Sequence, residues 1–303
     1  MKVAVIGNFD GVHLGHQHLF RLARALSQRG RVVAVTFEPL PAAVLRPERV
    51  MGRLTPSPER SQLLRELCGI DELIELEPTA GLLGRSPQEF MAGLHGQLQM
   101  DAIVEGSDFR FGAARAGSMA TLRELGLVHG FVVQEAEELT VEITDGTRVE
   151  ARSSVARGFL EQGRVADAAR VFGRAYELRC PTVRGDQRGR TIGWPTMNLN
   201  AAGRILPADG VYAGSATLPN GTTAVAAISV GTKPTFGQNA RTCEATLLRS
   251  DGRPLTLPLD WYGFELWLRF HQWIRAQERF ASVDELLARM ERDRAMVLEA
   301  DAV

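Results

Sequence analysis

Two histidines near the start of the chain, three positions apart, could bind a phosphate group. They lie in "GNFDGVHLGH", residues 7–16, between the apolar run Val3–Ile6 and a stretch with helical spacing. A glycine-rich turn that opens a helix presents backbone N–H groups and a positive dipole end to an anion. His13 and His16 add two donors that could stabilise charge on a phosphoryl oxygen. The alternative is that one or both histidines only cap the helix or pack.

A second group of candidate residues lies in the C-terminal half and carries oxygen donors. Thr196 and Asn198, in "WPTMNL", carry a hydroxyl and an amide whose oxygens are hard donors of the kind that suit Mg²⁺. Glu244, in the strand-like "CEATLL", could point to one face of a sheet. Considered alone, the stretch around Thr196 and Asn198 is an ordinary turn and Glu244 is a solvated strand residue.

The composition limits the classes of partner. The chain has 303 residues, 45% of them hydrophobic and 23% charged, and a formal net charge of −1. It therefore has room for two domains and no global field that favours nucleic acid or anionic lipid, so we expect small-molecule substrates. Three scattered cysteines indicate neither a metal site nor a disulfide framework, which predicts a cytoplasmic protein. No signal peptide or membrane-spanning stretch is expected.

The first half has the alternating pattern of an α/β domain. Strand-like runs such as "RVVAVTF", "ELIEL", "DAIVEG" and "GFVVQE" are separated by helix-like runs. This predicts a parallel sheet whose ligands bind at the carboxyl ends of the strands, where the histidines lie. Ser57 and Ser86 each precede a proline and are predicted helix N-caps.

The second half of the sequence has a different pattern of predicted elements. From about residues 173–190 onward, short strand-like runs such as "GVYAGSATL" and "TTAVAAISV" alternate with turn residues, which is typical of an antiparallel barrel or sandwich. A final helix is predicted over residues 283–299, with Ser282 as N-cap and Glu285 completing a capping box. We place the domain boundary between residues 172 and 173.

Several motifs in order resemble one family. "GNFDGVHLGH" resembles the HxGH signature of nucleotidylyltransferases, as found in prokaryotic bifunctional riboflavin kinase/FAD synthetases. "GSDFRFGAARAGS" resembles that family's second motif, "GRTIGWPTMNL" its riboflavin kinase motif, and "LPADGVYAG", "VGTKPTFG" and "CEATLL" the strands that follow. "WIRAQERFASVDELLARMERD" resembles its terminal segment, so the likeness covers essentially the whole chain.

The resemblance implies a fold and two reactions. It implies a Rossmann-like adenylyltransferase domain over residues 1–172 and an antiparallel riboflavin-kinase β-barrel with a C-terminal helix over residues 173–303. The implied activities are phosphorylation of riboflavin to FMN and adenylylation of FMN to FAD. ATP, riboflavin and FMN would be substrates and Mg²⁺ the cofactor, with no nucleic-acid or membrane partner.

The resemblance also assigns residues to roles. Glu244 would be the base for phosphorylation, and His13 and His16 would serve adenylyl transfer. Thr196 and Asn198 would hold the metal. The implied nucleotide and flavin contacts are Gly7, Asn8, Phe9, Asp108, Ser153, Ser154, Arg157, Arg190 and Gly193. Asp10 is interpreted as holding its turn together and Phe111 as core, whereas Phe109 is either core or a ring contact. Arg188 and Arg190 are either phosphate contacts or loop charges, and Lys233 is interpreted as a loop charge.

Three positions depart from the family pattern. The stretch "RSSVAR" places Arg152 where the family usually has the first serine of a triphosphate-binding segment. A cation is not equivalent to a hydroxyl beside phosphates, so two alternatives remain: a riboflavin kinase with a silent first domain, and a flavin-binding regulator without turnover. Met197 and Thr246 also depart, but they remove no proposed ligand or base.

Overall fold

The computed structural model describes residues 1–48, 52–185, 189, 192–232, 241–249, 251–255 and 262–301. Backbone contacts divide the chain into two compact units. The first comprises residues 1–141 and 148–153, and the second comprises residues 142–147 and 154–303. The boundary between residues 172 and 173 stays a prediction.

The first unit contains a five-stranded parallel sheet, as predicted. Its strands follow the order β3-β2-β1-β4-β5. The elements, in chain order, are β1 (Lys2–Ile6), α1 (Leu14–Ser27), β2 (Arg31–Phe37), α2 (Pro41–Leu45), α3 (Ser57–Cys68), β3 (Glu72–Leu76), α4 (Ala80–Leu83), α5 (Pro87–Leu98), β4 (Ala102–Gly106), α6 (Met119–His129) and β5 (Val132–Ala136).

Helices cover both faces of this sheet, which explains its nearly continuous apolar strands. Val3 and Val5 of β1 contribute to a core shared with α1 and α3, whereas Ala4 and Ile6 contribute to a core shared with α5 and α6. Phe111 lies in the second core, as predicted, and Phe109 packs against the same core. The alternation of side chains along β1 thus fixes the strand between two helical layers.

One of the two predicted serine caps is confirmed. Ser86 forms a complete capping box with Glu89 at the start of α5. The prediction for Ser57 was wrong, because α3 begins at Ser57 itself and Pro56 occupies the N-cap position. The Ser57 hydroxyl donates instead to the Glu75 carboxylate, 2.8 Å away.

A small two-stranded sheet, β6 (Thr140–Glu142) and β7 (Arg148–Glu150), precedes the barrel. The remaining elements are α7 (Ser153–Glu161), α8 (Val165–Phe172), β8 (Tyr176–Val183), β9 (Met197–Leu199), β10 (Gly210–Thr217), β11 (Thr223–Thr232), β12 (Arg241–Leu248), β13 (Glu265–Ala276) and α9 (Val283–Asp301). The predicted barrel is confirmed: its strands close in the order β10-β11-β12-β9-β8-β13, with antiparallel neighbours.

The C-terminal helix is also confirmed, with a modified cap. The Glu285 amide donates to the Ser282 hydroxyl at 3.2 Å, but the Glu285 carboxylate accepts from the Ala281 amide rather than from Ser282. The bidentate ion pair between Arg275 and Asp293, nearly buried, fastens α9 to β13. Within the described part of the chain, no helix has the length and apolar character needed to cross a membrane.

Helices α7 and α8 pack within the second unit. α8 lies against β8 and β13, and the Phe172 ring stacks on Tyr176 with centroids 5.9 Å apart. The Ala208 amide donates to the carbonyl of Leu160 in α7 at 2.8 Å. Leu160, Val171 and Phe172 are at most 2% exposed. The helical pair therefore covers part of the hydrophobic surface of the barrel unit.

We expect a fragment of residues 154–303 to fold alone and to melt at a higher temperature than a fragment of residues 173–303. The shorter fragment loses the buried side chains of α7 and α8, each worth about 2 kcal/mol of hydrophobic burial. Thermal unfolding followed by circular dichroism measures the difference. Equal melting temperatures would favour the boundary between residues 172 and 173.

Candidate functional site

The turn between β1 and α1 begins as an extension of the sheet. The Gly7 amide donates to the carbonyl of Val35 in β2 at 3.0 Å. The Asn8 carbonyl accepts from the Arg60 guanidinium at 3.2 Å and from the Thr36 hydroxyl at 3.4 Å. These contacts hold the turn at the carboxyl end of β1, where the sequence predicts a ligand site.

Asp10 holds the middle of the turn, in agreement with its interpretation from sequence. Its buried carboxylate accepts from the backbone amides of Leu54 and Thr55 at 3.3 and 3.0 Å. The Gly11 amide donates to the Thr55 hydroxyl at 2.8 Å. A second loop, which contains Leu54 and Thr55, is therefore hydrogen-bonded to this turn.

The two histidines lie face to face at the start of α1. Their ring centroids are 3.6 Å apart with planes inclined by 24°. His13 is the N-cap residue: its Nδ1 accepts from the His16 amide at 3.3 Å, and the side chain is buried. The capping role weighed in the sequence analysis is therefore present. A ring that accepts through Nδ1 carries its proton on Nε2, which leaves that nitrogen as a donor.

Phe9 supports the histidines from the core side. Its ring meets His16 edge-on at 5.3 Å and packs against Phe20 at 5.1 Å. The side chain is only 1% exposed. Phe9 therefore belongs to the core in this structure, and its nucleotide contact stays a prediction.

Gly15 permits a close approach between two backbone segments. A Cβ at this position would collide with the carbonyl oxygen of Ala151 and lie 3.0 Å from Nδ1 of His13. Any larger residue would push α1 away from the segment that follows β7. The glycine thus makes room for the Ala151 carbonyl and the His13 ring.

A fully buried arginine, Arg60, is a further part of this site that the sequence analysis missed. Its guanidinium donates to Glu38 and Glu75 at 3.0 Å each and to the Asn8 carbonyl. Arg53 makes two more hydrogen bonds to Glu38, at 2.7 and 2.8 Å. The available signal was helical spacing, because Arg60 shares the buried face of α3 with Leu63 and Leu64.

Arg152 does not present an unbalanced charge. Its guanidinium contacts Asp108 at 3.0 Å, Glu138 at 2.6 Å and also Glu150. Asp108 lies just after β4, Glu138 just after β5, and Glu150 ends β7. The cation that replaces the expected serine is therefore surrounded by three carboxylates, which offset its charge.

The serines that follow Arg152 differ in placement. The Ser153 hydroxyl donates to the Asp10 carbonyl at 2.8 Å, so it braces the histidine turn. Ser154 and Arg157 belong to the second compact unit. Their predicted roles as phosphate contacts stay predictions.

In the barrel, strand pairing brings two predicted site residues together. Glu244 of β12 lies directly opposite Asn198 of β9 and, on its other side, opposite Ser229 of β11. Directly opposed residues of antiparallel strands project from the same face with Cβ atoms about 5 Å apart. Cys243 and Ala245, the sequence neighbours of Glu244, face the other way and are fully buried.

The turn before β9 is held by Gly189. Its carbonyl accepts from the amides of Trp194 and Ile192 at 2.8 and 3.3 Å. Exposed Gly193 lies within this turn, and half-buried Thr196 follows it. Arg188, Arg190 and Lys233 lie outside the described residues. The two barrel departures, Met197 and Thr246, are both buried.

Comparisons with known proteins agree with this architecture. A family model for FAD synthetase matches residues 1–149, and one for riboflavin kinase matches residues 172–300. A bifunctional riboflavin kinase/FMN adenylyltransferase from Escherichia coli K12 is 31% identical over 303 residues, covering 96% of this chain and 90% of that protein. The chain belongs to the bifunctional riboflavin kinase/FMN adenylyltransferase family.

Two further known proteins match this chain over a similar length. The enzyme of the same name from Pseudomonas fluorescens is 33% identical, with 94% of this chain and 88% of that protein covered. A solved structure from Streptococcus pneumoniae, named a macrolide-efflux protein, has a TM-score of 0.84 at 28% identity. It covers 98% of this chain and 93% of that chain, so both units have counterparts in one solved fold.

We expect nitrogen-15 NMR to find His13 as the Nε2–H tautomer near neutral pH. The reason is that Nδ1 must stay unprotonated to accept from the His16 amide. Long-range proton–nitrogen correlation spectra report which ring nitrogen carries hydrogen. A His13→Ser variant serves to assign the resonance. A proton on Nδ1 would contradict the capping geometry.

Proposed function

We infer that this chain makes FAD from riboflavin in two ATP-dependent steps. The barrel unit transfers the γ-phosphoryl group of ATP to riboflavin, giving FMN and ADP. The α/β unit transfers AMP from a second ATP to FMN, giving FAD and pyrophosphate. The observation that carries this inference is the occurrence of both family regions in one chain that matches a bifunctional relative over 96% of its length.

For adenylyl transfer, the FMN phosphate is itself the nucleophile. An FMN phosphate oxygen bonds to the α-phosphorus of ATP as the bond from that phosphorus to the bridging oxygen breaks. The step therefore needs alignment and charge stabilisation more than a base. We assign these roles to the Nε2–H of His13, to His16 and to the start of α1. The Asp10 and Arg60 contacts support the assignment because they hold this turn in place.

For phosphorylation, we assign the base to Glu244. Its carboxylate would accept the proton from the ribityl hydroxyl as that oxygen attacks the γ-phosphorus and ADP leaves. The placement of Glu244 opposite Asn198 supports this assignment, since the base must lie where the attacking hydroxyl meets the metal-bound phosphate. Burial raises the pKa of the neighbouring Cys243 thiol, so that group stays protonated.

The donor chemistry also fits a magnesium ion. We assign the Thr196 hydroxyl and the Asn198 side-chain carbonyl as its protein ligands, with ATP phosphates supplying further oxygens. When bound, the ion neutralises phosphate charge during transfer. A Cβ at Gly185 would lie only 2.8 Å from Oδ1 of Asn198 and closer still to its other amide atoms. The absence of a side chain at position 185 therefore fixes the space available to the Asn198 amide.

Reciprocal variants test the two assigned sites. His13→Ala and His16→Ala should lower FAD formation from FMN by about 10²–10³, the usual cost of a lost donor to transition-state charge. Glu244→Gln should lower FMN formation by about 10²–10⁴. Each variant should retain the other activity, as measured by chromatography of products from riboflavin or FMN with ATP and Mg²⁺.

A matched variant separates capping from catalysis at position 13. His13→Ser keeps an N-cap oxygen, worth about 1 kcal/mol, but cannot reach a phosphate. It should melt near the parent temperature and still lose FAD formation. Near-normal FAD formation by both alanine variants would show that the turn is only scaffolding. Production of FMN alone by the parent would instead support the kinase with a silent first domain.

Gly185→Ala should raise the Mg²⁺ concentration needed for half-maximal FMN formation and lower the maximal rate. The added Cβ displaces the Asn198 amide, whereas adenylylation of supplied FMN should be unchanged. Gly158→Ala, in α7 with no neighbouring heavy atom within 4 Å, is the matched control and should be harmless. Equal Mg²⁺ requirements for the parent and Gly185→Ala would rule out the assignment of Asn198.

A further inference from the structure

Strands β1 and β4 stop pairing before either strand ends. Their ladder pairs Val3 with Ala102 and Ala4 with Ile103. Beyond that point β1 continues to pair with β2 through Ile6, and β4 continues to pair with β5 through Gly106. The two strands are also the place where the strand order changes direction, and a crevice forms at such a point.

Where the ladder stops, a side chain supplies the hydrogen-bond acceptor. The Ile6 amide donates to Oε1 of Glu105 at 2.6 Å, and Glu105 is 2% exposed. The next amide, that of Gly7, is turned toward β2 and bonds to Val35. The Ile6 amide thus faces β4, but its acceptor is the Glu105 carboxyl rather than a backbone carbonyl of that strand.

The protonation of Glu105 fits this position. Burial raises its pKa well above the ordinary value, the charge of nearby Asp108 raises it further, and the hydrogen bond from Ile6 lowers it. The environment therefore favours the neutral acid, which can accept through one oxygen without placing a bare charge between two strands. The neutral side-chain amide of a Glu105→Gln variant could likewise accept from the Ile6 amide without introducing a charge.

We propose that Glu105 is a positioning residue for adenylyl transfer: its carboxyl ends the β1–β4 ladder and holds the crevice open beside the turn that begins at Gly7. This proposal rests on the function proposed for the α/β unit and adds a residue to it. Without a side-chain acceptor, the Ile6 amide would have to find a backbone carbonyl of β4, because a buried N–H group is rarely left unpaired. The ladder would then extend and narrow the space for phosphate.

The variants are made in the full-length chain. Glu105→Gln keeps the acceptor and the neutral shape, so the KM for ATP and the kcat of FAD formation should stay within about twofold of the parent. Glu105→Val removes the acceptor and favours strand pairing. It should raise the KM for ATP in FAD formation at least tenfold, a loss of about 1.4 kcal/mol of binding, because the narrowed crevice admits the phosphates less well. Glu124→Gln, on the exposed face of α6, is the matched control.

The barrel activity of the same molecules provides an internal reference. FMN formation should be unchanged in all three variants, so a general loss of folded protein would be recognised. If Glu105→Val lowers only the melting temperature, or if Glu105→Gln is as impaired as Glu105→Val, the proposal fails. If Glu105→Val does not fold, Glu105→Asp, one methylene shorter, should show the same rise in KM, and an unchanged KM would overturn the proposal.

A crystal structure of Glu105→Val, or of Glu105→Asp in its place, tests the proposal without any activity. The expected result is that the Ile6 amide bonds to a carbonyl of β4 and that the two strands approach the ladder spacing of about 4.8 Å at that level. Unchanged strand separation would overturn the proposal. If the parent makes no FAD, the function proposed for the α/β unit fails, while this structure still decides whether Glu105 keeps the strands apart.

Discussion

The backbone between β1 and α1 takes many of its hydrogen bonds from distant parts of the first unit. Phe9, Gly11 and Val12 have positive φ angles, so this stretch continues neither the strand nor the helix. Its groups bond instead to Val35, Arg60, Thr55 and Ser153, which come from four separate parts of the chain. A turn held from so many directions is preorganised, which is what stabilisation of developing phosphate charge requires.

In the barrel, the pairing register of the strands positions the candidate site residues. Glu244 and Asn198 are far apart in sequence, but antiparallel pairing of β12 with β9 places them opposite each other. A slip of β12 by one residue would turn Glu244 to the interior, where Cys243 and Ala245 now lie, and would separate it from Asn198. The same hydrophobic alternation that builds the barrel core therefore also brings the proposed base and the proposed metal ligand to one face.

The sequence predicts the elements well and their cross-connections poorly. Apolar periodicity and turn residues were sufficient for the parallel sheet, the barrel and α9, because those signals are local. Ser57 was misplaced by one position, since a serine–proline pair fits either side of a helix start. Arg60 and Glu105 are charged residues on buried surfaces. The sequence alone shows each as an anomaly, but their partners Asn8 and Ile6 are brought near only by the fold.

The position of Arg152 bears on whether the first unit is a competent adenylyltransferase. An arginine in place of a serine would matter most if its charge were free to bind the triphosphate. Here three carboxylates surround it, so the cluster remains negatively charged with the arginine in place. The contact that braces the histidine turn comes from the next residue, Ser153, through the Asp10 carbonyl. Because the hydroxyl that supports the turn is retained and the added cation is balanced, the departure at position 152 gives no structural reason to regard this unit as silent.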